Sequence, residues 1–200
     1  MIRIKAEKNM TFVGVADAGC EKHKKEIIEK KLLEALADFM LEHTEQMIAA
    51  PFRDEIKFQI VKKIREELRG YYGEITDFAG ILMIPEEELL FHVRFGRASI
   101  FGVNEKEYFQ CINKSLEFDL RGSDICEEES MLRLRIGIKN LTCLQKIYLF
   151  GGNRDEYIGI LQNKGRGGRG CEEYEQSRKL SEWKKKRAWI RKTQCIVTIQ

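Results

Sequence analysis

The chemistry-bearing residues concentrate at the C-terminus. Lys164-Gly165-Arg166-Gly167-Gly168-Arg169-Gly170 is a glycine-arginine loop, and Trp183-Lys184-Lys185-Lys186-Arg187-Ala188-Trp189-Ile190-Arg191-Lys192 follows it. From Lys164 onward there are eleven Lys or Arg against four Glu, a surplus of +7, whereas the whole chain carries +3. Residues 1–163 therefore carry −4. Such asymmetry marks an anion-facing surface. Glycines permit positive φ and close approach, so successive N–H groups can point at an anion, and Arg166 and Arg169 add charge. A helix opening near Cys171 would contribute its N-terminal dipole. The plainer reading is a surface loop.

On a helix, Leu180, Trp183, Arg187 and Ile190 share one face, which leaves Lys184, Lys185, Trp189, Arg191 and Lys192 largely outside it. Cations beside an exposed indole suit phosphate contact and base stacking. The alternative is a solvated helix with both tryptophans in the core. The leading expectation is thus a nonenzymatic nucleic-acid-binding protein, DNA more than RNA. Lys139, Arg166, Arg169, Lys184, Lys185, Lys186, Arg187, Arg191 and Lys192 would make contacts, and Trp189 would stack. A second expectation is an inhibitor or adaptor from a mobile element, which would use the tail against an acidic or nucleic-acid-binding protein partner.

Other constellations are thin. Cys20 and His23 form a lone C-x-x-H, and three histidines cannot build a histidine-rich metal site, so no metal and no cofactor is expected. His43 falls in an apolar helical stripe and reads as a hydrogen-bonded core or boundary residue. His92 falls opposite the apolar face of its strand and reads as exposed. No nucleophile sits beside a base in the sequence, so catalysis is not expected.

Two resemblances bear on the tail. Leu134-Arg-Ile-Gly-Ile-Lys-Asn-Leu-Thr-Cys-Leu144 resembles the start of the C-terminal domain of the bacterial RNA polymerase alpha subunit. Cys143-Leu144 match that family's Asn-Cys-Leu opening, with Thr142 in place of its Asn and Lys139 in place of its Arg. Asn163-Lys164-Gly165, or Gly168 to Cys171, would supply its helix-hairpin-helix turn. The resemblance implies DNA backbone contact through Lys139, Thr142, Cys143, Arg166 and Arg169. Gln162-Asn-Lys-Gly165-Arg-Gly167 is similar to the pyrophosphate loop of GNAT-type acetyltransferases, which implies acetyl-CoA held by Gln162, Gly165 and Gly167. That family's topology would make Tyr157–Leu161 and Cys195–Ile199 strands.

The elements that must position these residues read as α+β. Ile2 to Val15 predicts a β-hairpin turning at Glu7-Lys8-Asn9. Ile28, Leu32, Ala35 and Phe39, with Leu36, Met40, His43 and Met47 beside them, predict a helix from about Glu21 to Ile48, ended by Pro51. A second helix from Arg53 to Arg69 would pack against it as an antiparallel pair, ended by Gly70 and Gly73. Ile75–Ile84 reads as a strand, Pro85–Glu88 as a turn and Leu89–Phe95 as a second strand. A helix is predicted from Asn104 through Tyr108, Ile112 and Leu116. The architecture expected is a hairpin, a helix pair, a small mainly antiparallel sheet and a basic helical C-terminal module. The polar stretch 119–130 suggests a division into 1–122 and 131–200, either as two domains or packed together as one. Mixed charge at 34% and 43% apolar residues suit an ordered chain. With no leader-like N-terminus and no membrane-length apolar run, the expected location is the cytoplasm, with free thiols and three unused N-x-S/T sequons at Asn9, Asn113 and Asn140.

Overall fold

The computed structural model describes residues 1–49, 53–71, 74, 76–104, 109–113, 125, 133–151 and 194–198. The fold is α+β with antiparallel sheets. Strands β1 (Ile2–Glu7) and β2 (Met10–Ala18) form the expected hairpin, with Lys8 and Asn9 at positive φ in its turn. Helices α1 (Lys22–Glu42), α2 (Thr44–Ala49) and α3 (Arg53–Glu67) follow. Strand β3 (Thr76–Ile84) leads through a single turn at Pro85–Glu87 into β4 (Leu89–Phe95). The remaining strands are β5 (Ser99–Val103), β6 (Phe109–Asn113), β7 (Arg135–Asn140), β8 (Lys146–Phe150) and β9 (Gln194–Thr198).

The strands make two sheets, ordered β1-β2-β3-β4-β7 and β6-β5-β8-β9. Period-2 alternation sorts the side chains of the first sheet onto two buried faces. Phe12, Phe78, Leu82, Phe91 and Phe95 meet the helices, in one core with Ile28, Leu32, Leu36, Met40, Ile60 and Ile64. Val13, Val15, Ala79, Ile81 and Leu90 instead meet Ile100, Ile147 and Leu149 of the second sheet. The result is three layers: helices, sheet, sheet. α3 runs back along α1, because Met40 shares a cleft with Ile56 and Ile60 while Lys31 reaches the Glu67 carbonyl.

The predicted stripe of α1 is buried as expected. His43 ends that helix, half-buried, stacked on Phe39 with Nδ1 3.1 Å from the Phe39 carbonyl. Two expectations change. Residues 109–113 form strand β6 against β5, where the Tyr108–Ile112–Leu116 spacing predicted a helix; a partner strand decides a short apolar run that period alone leaves ambiguous. His92 is only 6% exposed, since β4 is covered on both faces. Among the described residues the antiparallel strands form two sheets, of five and four strands. Residues 134–144 form the edge strand β7 and a short turn at Leu141–Cys143, capped by the Asn140 side chain on the Thr142 N–H.

Candidate functional site

The strand ends at one rim of the sandwich gather the charged groups. β2 and β4 end there, β3 and β5 begin there, and Gly151, just past β8, lies against the Ala16 backbone. Asp17 of β2 is the register partner of Asp77 of β3. Directly opposed residues of antiparallel strands project to the same face. Both therefore point toward the second sheet, at its open end.

Asp77 is fully buried, and Arg97 binds its carboxylate. The Arg97 backbone N–H donates to Oδ1 at 2.8 Å, its Nε donates to Oδ2 at 2.8 Å and Nη2 lies 2.6 Å from Oδ2. Burial pushes the Asp77 carboxyl above its usual range, and the Arg97 donors act against that push. The turn that delivers Arg97 depends on Gly96 at φ +63°, where a Cβ would fall 2.1 Å from Asp77 Oδ1. Arg94, fully buried, donates from Nη1 to the Gly96 carbonyl at 2.8 Å and clasps the same turn.

Asp17 is held from α1. Lys25 Nζ donates to Asp17 Oδ1 and lies 3.6 Å from Glu29 Oε1. Burial works against the Lys25 ammonium, but Asp17 and Glu29 outweigh it and hold its pKa above the ordinary value. Glu29 is itself buried: Oε1 accepts the Ala18 N–H at 3.0 Å, and the Met1 amino group donates to Oε2 at 2.9 Å. Cys20 lies beside this cluster, and burial together with Glu74 raises its thiol pKa.

Of the residues singled out in the sequence, Lys139 is exposed on edge strand β7, opposite Leu90, and Thr142 and Cys143 lie in the turn that follows. Gln162, Gly165, Arg166, Gly167, Arg169, Lys184, Lys185, Lys186, Arg187, Trp189, Arg191 and Lys192 lie outside the described residues, as does Tyr157–Leu161. Sequence reasoning missed Asp17, Lys25, Asp77 and Arg97. One signal was available: an aspartate inside the apolar run Thr76–Ile84 must find a cation, because an unpaired buried carboxylate is expensive. Among the described residues no group of three His, Cys, Asp or Glu is placed to hold a metal ion. No described helix is long and apolar enough to cross a membrane.

No protein-family model matches the chain, and no curated protein sequence matches it significantly. Solved structures do. A bacterial serine phosphatase carrying a single arginine substitution matches with TM-score 0.60 at 13% identity, over 100% of this chain and 90% of that one. A serine/threonine phosphatase from Staphylococcus aureus matches with TM-score 0.54 at 11% identity, over 100% and 88%. RsbX in complex with magnesium matches with TM-score 0.51 at 10% identity, over 98% and 83%. These likenesses correct the expectation of a nucleic-acid-binding, DNA-binding protein, and the adaptor and acetyltransferase readings with it. A charge surplus read from sequence does not specify the fold that carries it. The matches do not bear on the resemblance to the RNA polymerase alpha subunit. Spanning all three layers of the chain, they give it the fold of serine phosphatases.

Proposed function

We propose that this chain is a phosphatase-fold protein that engages phosphorylated serine or threonine in a protein partner, in the cytoplasm. The observation that carries the reading is the likeness to serine phosphatases over the full length of the chain. The rim adds chemical support. Arg97 and Lys25 are partly exposed cations there, with side chains 20% and 36% exposed. Guanidinium has five N–H donors, of which Asp77 engages Nε and Nη2; the ammonium has three, directed toward Asp17 and Glu29. The donors that remain match a phosphate monoester, which offers three strong acceptor oxygens.

Magnesium, named with one of the matched phosphatases, is a test of fit. It asks for six oxygens at about 2.0–2.1 Å, usually one or two carboxylates with water. The described carboxylates do not fit: Asp77 has both oxygens on Arg97, and Asp17 has one on Lys25.

Fluorescence polarisation with a degenerate phosphoserine and phosphothreonine peptide pool tests the reading, with the same pool unphosphorylated as reference. Saturable binding that depends on phosphate is expected. Equal binding of both pools, or none, refutes it.

A further inference from the structure

We infer that Lys25 and Arg97 take the place of a divalent cation at the sheet rim, so that this site receives phosphate without bound metal. The inference rests on the proposed phosphate-directed function and deepens it.

Geometry carries it first. Asp77 is closed to any ion: its side chain is 0% exposed, Oδ2 faces Nε and Nη2 of Arg97, and Oδ1 faces the Arg97 N–H. Oδ1 also packs so tightly on the Gly96 backbone that not even a methyl group would fit between them. A magnesium ion would have to displace the guanidinium and reopen the turn. Glu29 is nearly as enclosed, at 6% side-chain exposure, with Oε1 on the Ala18 N–H. Of these three carboxylates Asp17 reaches solvent, and Lys25 holds one of its oxygens.

Charge carries it second. One ammonium and one guanidinium together supply the charge of one divalent ion. They arrive on different elements, Lys25 from α1 and Arg97 from the turn between β4 and β5, and close on carboxylates that are register partners on β2 and β3. A lysine or arginine offers fixed N–H donors to phosphate. It does not lower the pKa of a bound water as a metal does. The described residues are thus arranged to hold a phosphate monoester rather than to hydrolyse it.

The test uses the full chain in three arms. Thermal unfolding is compared in EDTA and in millimolar magnesium or manganese chloride, for the wild type and Asp17→Asn. Polarisation with the phosphoserine peptide pool is run in the same buffers, for the wild type and Lys25→Met. Release of inorganic phosphate from the pool is followed with manganese. We expect a melting temperature indifferent to the metals, or a shift that Asp17→Asn leaves intact. Peptide affinity should agree within about twofold between EDTA and metal and fall about tenfold in Lys25→Met. A metal-dependent rise in melting temperature that Asp17→Asn removes overturns the inference, as does peptide binding that needs metal or manganese-dependent phosphate release. Failure of the peptide to bind in any buffer refutes the phosphate-directed function instead, while the melting arm still decides metal occupancy.

Discussion

Replacing Arg97 by methionine should be among the most damaging single substitutions at the rim, and its cost should depend on pH. Methionine keeps much of the side chain's length but deletes Nε and Nη2, the two side-chain donors on Asp77, and leaves only the backbone N–H. Removing one partner of a buried ion pair typically costs 3–5 kcal/mol. Arg97 is 20% exposed, so solvent screens part of the pair and about 3 kcal/mol is expected. In a chain of this size that lowers the melting temperature by about 6–12 °C. The pH dependence follows from Asp77, whose folded pKa burial already raises. The folded state therefore binds its proton more tightly than the unfolded chain. This carboxyl's contribution is most favourable below its unfolded value of about 3.9 and declines as pH rises through the folded pKa. Without Arg97 the folded pKa rises further, so the deficit of Arg97→Met against wild type should be full at neutral pH and shrink in acid. Urea unfolding at several pH values reads this directly, and Asp77→Asn in the Arg97→Met background should recover part of the loss. A loss below about 0.5 kcal/mol, the size of an ordinary surface change, or one unchanged by acid, would refute the reasoning.

Three further outcomes follow. Gly96→Ala forces a β-carbon onto a residue at φ +63° and against Asp77 Oδ1; it should cost about 2–4 kcal/mol by chemical denaturation, more than the αL penalty of about 1–2 kcal/mol alone. Leu36→Ala removes a fully buried side chain between α1 and the first sheet and should cost about 2–5 kcal/mol with the circular-dichroism spectrum unchanged. Lys25 has a raised folded pKa, so its contribution is complete below the unfolded value of about 10.4 and is lost as pH rises through the folded one; an alkaline denaturation series should show that loss in the wild type and not in Lys25→Met.

Much of the scaffold was legible in the sequence where local rules act alone. The hairpin follows from alternation around Lys8-Asn9, two residues that take up positive φ. The α1 stripe follows from its helical period, and β4 from the alternation of Leu89, Phe91, Val93 and Phe95. What stayed hidden depends on partners distant in sequence. The run around Ile112 has helical spacing, yet β5 recruits residues 109–113 as a strand. His92 and Arg94 alternate as a solvent-facing set would, but the second sheet covers that face as well. The rim was the hardest to see. Asp17 and Asp77 are 60 residues apart and meet only through strand register, and their cations come from a helix and from a turn. Charge density drew attention to Lys184–Lys192 because lysines adjacent in sequence are conspicuous, whereas one aspartate in an apolar strand is not. The fold likeness redirects that attention from the tail to the rim.

The central claim, that a phosphorylated serine or threonine segment is received at this rim, is tested most directly by amide chemical-shift mapping on the isotope-labelled chain with the phosphoserine peptide pool. The account predicts saturable shifts centred on Asp17 to Lys25, Asp77 and Gly96 to Ser99, absent with the unphosphorylated pool. Saturable shifts that leave those residues untouched, or no shifts at all, would contradict it.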